Sequence, residues 1–338
     1  MFDSRIISCK DVRAWQGFLD RLDPRHRDPH YLPQYLQLFE SLPDGECKAY
    51  FGGEGLLFVY GNNQNFILYP FFKRPASALQ SRNGLASPQY DIISPYGYGG
   101  PLILSEDDSS EILWKKFLSE FHGYCKDNNV VSEFCRLHPI FENHIPVSNF
   151  SDGEIERLGR IVYINLNLSE EEIISRMHLS RQQNIRKAKK NGCVFHVDAD
   201  EASVERFFDL YIATMKRRDA KPYYFFPLDF FDKAFKNLDG SIALAYVQYE
   251  HSMIAGCIIL IFGEIAYYWL AASTVEHQRM RPNDFLVAEA TLYAKSRGAK
   301  CFVLGGGNAV KEDSLFFYKS RFSKLTKDFF VYRRTHVD

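Results

Sequence analysis

The stretch with the densest chemistry lies near the carboxyl end of this 338-residue chain, where Gly305-Gly306-Gly307-Asn308 closes an apolar run and Phe316-Phe317-Tyr318-Lys319-Ser320-Arg321-Phe322 follows. Glycines at the end of a strand let a substrate backbone or a slender ligand arm approach closely. No Gly-Lys-Ser/Thr follows them, so a nucleotide P-loop is excluded. Tyr318 and Lys319 are the two groups that acyl transfer to an amine requires. A cation stabilises the oxyanion of the tetrahedral intermediate, and a phenol protonates the leaving group. A core tyrosine beside a surface lysine is the plainer alternative.

Cationic candidates lie upstream. Arg181 sits in the middle of an apolar face made by Ile174, Met177, Ile185 and Ala188. A buried arginine needs a carboxylate, carbonyls or an anionic ligand, so it reads either as a strut between the two halves or as a binding group. Arg186, Lys187, Lys189 and Lys190 suit a helix C-terminus or a phosphate patch. Arg217-Arg218 followed by Tyr223-Tyr224 suits a phosphate or carboxylate clamp. In the first half, the 91–101 segment interleaves Tyr96 and Tyr98 with three glycines, a composition that lines ligand clefts. Arg136 and His138 stand close to that loop in the pattern, and the same segment also reads as a rigid turn between halves.

The elements that must position these groups follow from periodicity. In the second half, Ser169-Glu170-Glu171-Glu172 is a capping box opening a helix to residue 191, closed by Asn191-Gly192. A strand at 193–197, helices at 201–216 and 228–237, and strands at 241–250, 253–262 and 264–272 come next. A helix at 284–297, a strand at 300–304, a helix at 311–321 and a strand at 325–333 complete the half. The first half repeats the order more faintly: helices at 11–21 and 31–39, strands at 46–51, 56–60 and 65–72, a helix at 109–128, and strands at 130–137 and 160–166. This predicts an α/β (α+β) chain of two duplicated halves, each with a central mixed sheet flanked by helices, of roughly 165 residues apiece.

Composition narrows the class. A 46% hydrophobic, 15% aromatic chain is globular, and a net charge of −1 provides no global field for nucleic acid or an anionic membrane. The most apolar run, 253–262, is about ten residues and too short to span a bilayer. No signal-peptide core follows the first residues. Seven scattered cysteines without a CxxC pair read as reduced thiols in the cytoplasm, without a metal site.

Together these residues resemble the Fem-type (FemAB) transferases and GNAT-fold acetyltransferases of cell-envelope polysaccharide biosynthesis. The resemblance runs over nearly the whole chain, through Tyr31-Leu32-Pro33-Gln34-Tyr35, residues 94–101, residues 181–190, Arg218-Asp219-Ala220, Asn283-Asp284-Phe285-Leu286 and residues 318–322. It implies two GNAT-like domains, 1–167 on the acceptor side and 168–338 holding the acyl donor and the catalysis. It implies donor contacts from Gln278, Arg279, Arg281, Asn283, Gly305 and Gly306. The sequence 278–283 departs from the usual pyrophosphate loop, having no glycine, so backbone amides at the following helix start would serve instead.

The resemblance further implies Lys319 as electrostatic stabiliser, Tyr318 as acid, and Tyr96, Tyr98, Arg136, Arg181, Arg186, Arg218 and Tyr223 toward the acceptor, expected in the cleft between the halves. The expected activity is N-acyl transfer from acyl-CoA, of the acetyl-CoA type, onto an amine of a nucleotide sugar or envelope-glycan precursor. Aminoacyl-tRNA as donor to a peptidoglycan precursor, with tRNA as partner and a peripheral membrane association, is the alternative. A non-catalytic sugar-binding scaffold is a third reading.

Overall fold

In the computed structural model, residues 2–76, 88–105 and 110–336 are described. They divide into two compact units: Met1–His26, His30–Leu158 and Asp328–Asp338 form the first, and Arg27–Pro29 and Gly159–Lys327 the second. The end of the last strand therefore groups with the first unit.

In the first unit, β1 (Asp3–Ser8), β2 (Glu54–Gly61), β3 (Phe66–Pro75), β4 (Tyr90–Ile93) and β6 (Val130–Arg136) lie side by side in that order. The final residues of β13 (Thr326–Thr335) pair with β6, and β5 (Leu102–Leu104) pairs with β3. β4 and β6 are parallel; the other pairings are antiparallel. Helix α4 (Ser110–Asp127) places Trp114, Phe117 and Phe121 among Phe58, Tyr69 and Phe71 of the sheet, an aromatic core. The expected first residue of that helix, Ser109, lies outside the described residues. Helices α1 (Val12–Leu19) and α2 (Pro33–Glu40) bury Trp15, Tyr35 and Phe39. The indole of Trp15 donates to the Tyr31 carbonyl at 2.9 Å.

Several elements depart from the sequence reading. The expected strand at 46–51 is a helix, α3 (Glu46–Phe51): its one buried residue, Phe51, docks on Phe39 and Tyr96. β1 shows no alternation because nearly all of it is exposed, and β4 has only four residues. A short helix, α5 (His144–Phe150), follows β6.

The second unit runs β7 (Glu154–Asn165, its later residues), β12 (Cys301–Gly305), β11 (Ile265–Ser273), β10 (Ser252–Phe262), β9 (Ile242–Tyr249) and β8 (Val194–Val197). β11 and β12 are parallel, and the rest are antiparallel. Helices cover both faces. α10 (Pro282–Ser296) buries Ala288, Ala290 and Ala294, small residues that let it lie close to the sheet. α8 (Glu201–Arg217) and α9 (Leu228–Asn237) set Phe207, Tyr211, Phe230 and Phe231 on the other side. Coverage on both sides explains the apolar run 253–262: it is a central strand buried on two faces, and no helix among the described residues is long and apolar enough to cross a membrane.

The single helix expected over 169–191 is two. The capping box forms at Ser169 and Glu172, but α6 (Glu170–Arg176) stops at Met177 and α7 (Leu179–Lys190) begins after His178. Both linking residues are extended. Gln182 Nε2 takes up the loose carbonyls of Ser175 and Met177, and the His178 ring accepts from the Ser180 amide, so the break is fully hydrogen-bonded. The apolar face that carried Arg181 in the sequence reading is thereby interrupted.

Candidate functional site

The second unit contains a gap in its own sheet. Parallel pairing of β11 with β12 runs from Ile265–Cys301 to Tyr267–Val303 and stops, while β11 continues to Ser273. On the other side of β11 the register slips between Cys257 and Ile258: Ala271 and Trp269 pair across, and Leu270, with φ 34°, is left over. A bulge at this point bends the strand and sharpens its twist. Ser273, at the end of β11, is held by Thr214, by Arg217 donating to its carbonyl at 2.9 Å, and by Asn283 donating to its hydroxyl at 3.1 Å.

The first unit has no such gap. β4 pairs with β6 from Tyr90 to Ile93, and the chain stays laced to β6 beyond. The Ser94 amide donates to Phe134, the Arg136 amide to the Ser94 hydroxyl, and the Gly99 amide to Arg136. Asn143 Nδ2 then bonds the carbonyls of Gly99 and Pro101.

At the end of β12 the chain turns into the 305–313 loop. Gly305 is left-handed at φ 78°, and a Cβ on Gly307 would stand 2.1 Å from Asp313 Oδ1 and 2.2 Å from the Lys311 carbonyl. Asp313 explains the crowding: it caps α11 (Ser314–Lys319) through the Leu315 and Phe316 amides and bonds the Asn308 amide and side chain. Arg160 pairs with Glu312 at 2.8 Å and covers the Phe316 ring. The loop is thus rigidly tied to the helix that bears Tyr318 and Lys319.

Lys319 is half-buried and donates from Nζ to the Gly306 carbonyl at 2.8 Å. Burial lowers its pKa to about 8, the Asp313 carboxylate opposing and the Arg218 cation assisting. At neutral pH it is mostly an ammonium.

Tyr318 faces a second cluster. Its hydroxyl is sealed from water and has no hydrogen-bond partner in the protein. The Arg181 guanidinium lies 4.8 Å from its ring centroid and 5.6 Å from that of Phe322. Arg181 Nη1 pairs with Asp284, whose second oxygen accepts from Asn184 at 2.6 Å; the two ionic side chains are 12% and 4% exposed. Burial pushes the Tyr318 phenol well above its ordinary value, and the Asp284 charge adds to it. Tyr268, the first residue of β11 past its last pairing with β12, is pushed up for the same first reason, with Arg218 opposing and Asp284 adding.

The other candidates fall into place around this centre or away from it. Arg181 is a strut, but within the second unit, to Asp284. Gln278 and Arg279 form an exposed 3-10 turn, and Arg281, left-handed at φ 66°, precedes Pro282 at the start of α10. Arg218 is exposed at the C-cap of α8 and acts electrostatically on Lys319 and Tyr268. Tyr223 packs on Tyr224 at 4.7 Å. Arg186 is exposed and bonds only its own helix, at the Gln182 carbonyl, among the contacts of the described residues.

In the first unit Tyr96 packs against Phe39 and Phe51, and Tyr98 against His30, His138 and Phe329, and both rings are half-buried. Arg136 stacks on Phe134, with Nη1 buried and unpartnered. Asp284, Asn184, Tyr268 and Asp313 were not singled out from sequence for any role. An acidic residue at a helix start reads as ordinary dipole compensation, and nothing local marks it as buried. No group of three metal-ligating side chains occurs among the described residues.

Comparisons with known proteins bear on the fold. Residues 179–320 match the acetyltransferase (GNAT) domain family. FemX superposes with a TM-score of 0.62 at 14% identity, over 88% of this chain and 94% of that one. L-PGS from Bacillus licheniformis gives 0.52 at 13% identity, over 79% and 80%. A tandem GNAT protein from the clavulanic acid biosynthesis pathway gives 0.52 at 7% identity, over 100% and 99%. No curated protein matches in sequence. The fold is the α/β fold of GNAT-type and Fem-type acyltransferases. Residues 179–320, which match the acetyltransferase (GNAT) domain family, lie within the second unit.

Proposed function

We propose that the protein is an N-acyltransferase that moves an acetyl-type acyl group from acyl-CoA onto an amine of a nucleotide sugar or envelope-glycan precursor. One observation carries this reading: in the segment that matches the GNAT domain family, the β11–β12 pairing stops at Tyr267–Val303, and the helix after β12 bears a lysine ammonium bonded to Gly306 next in sequence to a sealed, unpartnered phenol. The donor's pantetheine arm lies along the free edge of β11, and its phosphates meet the start of α10 with Gln278, Arg279, Arg281 and Asn283 around it. The neutral amine nitrogen attacks the thioester carbonyl, the ammonium of Lys319 stabilises the oxyanion, and collapse breaks the carbon–sulfur bond as Tyr318 gives its proton to the departing thiolate; the proton shed by the acylated nitrogen passes to solvent, from which the phenol is restored on product release. Arg218, exposed and in electrostatic reach of Lys319, takes a phosphate of the acceptor.

The charges around the centre favour a plain acyl group over an aminoacyl group. Asp284 is occupied by Arg181 and Asn184, and Asp313 by the loop and the start of α11. An α-ammonium would enter among Lys319, Arg181 and Arg218. The seven cysteines are free thiols, which suits a reducing cytoplasm. A thermal-shift plate of CoA thioesters, UDP-amino sugars and aminoacyl-tRNA tests the reading, since a ligand bound only by the folded form raises its melting point. A rise with acyl-CoA, followed by thiol release on adding an amino sugar, is the expected result. A rise with aminoacyl-tRNA alone, abolished by ribonuclease, overturns the CoA reading.

A further inference from the structure

We propose that Asp284 and Arg181 are positioning residues that hold Tyr318 as a proton donor, a role that rests on the acyl-transfer reading above. Three elements converge on the phenol: α7 through Arg181, α10 through Asp284, and β11 through Tyr268. Lys319 is its neighbour on α11, and Arg218 acts on this group through Tyr268.

The order of contacts matters. Asp284 engages donors other than the phenol through both carboxylate oxygens, Arg181 at one and Asn184 at the other. It fixes the guanidinium instead, and the guanidinium lies over the Tyr318 and Phe322 rings. The result is a ring clamped on its face while its hydroxyl has no partner in the protein. Arg181 Nε is likewise buried and unpartnered, so two polar atoms of this clamp are unsatisfied in the free protein. Native structures rarely leave such atoms unsatisfied without a ligand or ordered water to complete them. In the reaction the hydroxyl's partner is the leaving sulfur.

The electrostatics follow from the same arrangement. A bare arginine over a phenol ring would stabilise the phenolate and spoil the acid. Burial is the first force that keeps the proton on Tyr318, and the carboxylate of Asp284 adds to it by opposing that cation. Substituting Asp284→Asn preserves shape and removes the charge, which leaves Arg181 uncompensated.

The test is a tyrosinate absorbance titration of the full chain in paired variants, with and without Tyr318→Phe, beside steady-state kinetics with acetyl-CoA. In the wild-type background, Tyr318→Phe should remove no transition below the alkaline unfolding limit. In the Asp284→Asn background it should remove one, and kcat should fall about tenfold with the donor KM unchanged. An Asp284→Asn protein that stays folded and shows no Tyr318 transition overturns the inference. Should Asp284→Asn fail to fold, Asn184→Ala carries the test: it leaves the ion pair but frees one oxygen. A several-fold loss of kcat at constant donor KM supports the clamp, and an unchanged kcat refutes it. The two readings fail separately. A Tyr318 transition in a protein that turns over no acyl donor sinks the acyl-transfer reading alone, while turnover without the transition sinks the clamp alone.

Discussion

The ammonium of Lys319 donates to the carbonyl of Gly306 at 2.8 Å, which ties the helix bearing the cation to the glycine loop at the end of β12. A lysine in that position cannot swing into solvent without losing a buried contact. Its charge is therefore fixed against the loop that follows β12, where the proposed reaction has it polarise an acyl carbonyl.

Tyr318→Phe removes a hydroxyl that has no partner in the protein. Deleting a buried, unsatisfied polar atom is neutral or stabilising. The melting temperature should hold or rise, while transfer should fall by about 10²-fold, the low end of what a positioned acid contributes. Calorimetry and initial rates check the two halves. A loss of stability equal to the loss of rate would mean a structural tyrosine.

The pH dependence follows from Lys319. Its pKa in the folded chain is lowered to about 8 from 10.5, so the unfolded chain binds the extra proton between those values. Stability from this group is lowest below pH 8 and recovers as the pH rises toward 10.5. Catalysis should move the opposite way, because the ammonium that stabilises the oxyanion is lost above about pH 8. A rate profile with a basic limb near 8, absent in Lys319→Arg wherever that variant retains activity, is the expected outcome.

Gly307→Ala should damage the loop rather than the chemistry. Its Cβ would fall within 2.2 Å of both the Lys311 carbonyl and Asp313, the residue that caps α11. The loss should be about 2 kcal/mol, visible as a fall of a few degrees in melting temperature, with a raised donor KM. Unchanged stability would show that the loop is free to shift.

Donor stoichiometry should be one per chain. The second unit opens between β11 and β12, whereas the corresponding parallel pair of the first unit, β4 and β6, is laced through Ser94 and Gly99 and closed by Asn143. Titration calorimetry with a non-reactive CoA thioester analogue should give a single class of site. Two equivalent sites would contradict this.

How far the sequence revealed these features depends on the range of the forces involved. The second unit was legible almost element by element because strand alternation, capping boxes and glycine stops are local signals. α3 was misjudged because its six residues are too few for a helical period to emerge. β1 was missed because an exposed edge strand has no buried face to pattern. The contact of Lys319 with Gly306 was within reach of the sequence, since a strand end and the next helix bring the two together. The partnership of Arg181 with Asp284 could not, because the residues are 103 positions apart and each looks ordinary where it stands. At Tyr96 and Tyr98 composition is ambiguous: a loop suited to ligands also suits the aromatic packing that these half-buried rings make.

The most direct test is single-turnover transfer by wild-type protein and Lys319→Ala, each saturated with acetyl-CoA and given the same amino-sugar acceptor. The account predicts equal donor affinity, an intact circular dichroism spectrum, and a transfer rate lower by about 10²-fold or more in the variant. An undiminished rate in Lys319→Ala would contradict it.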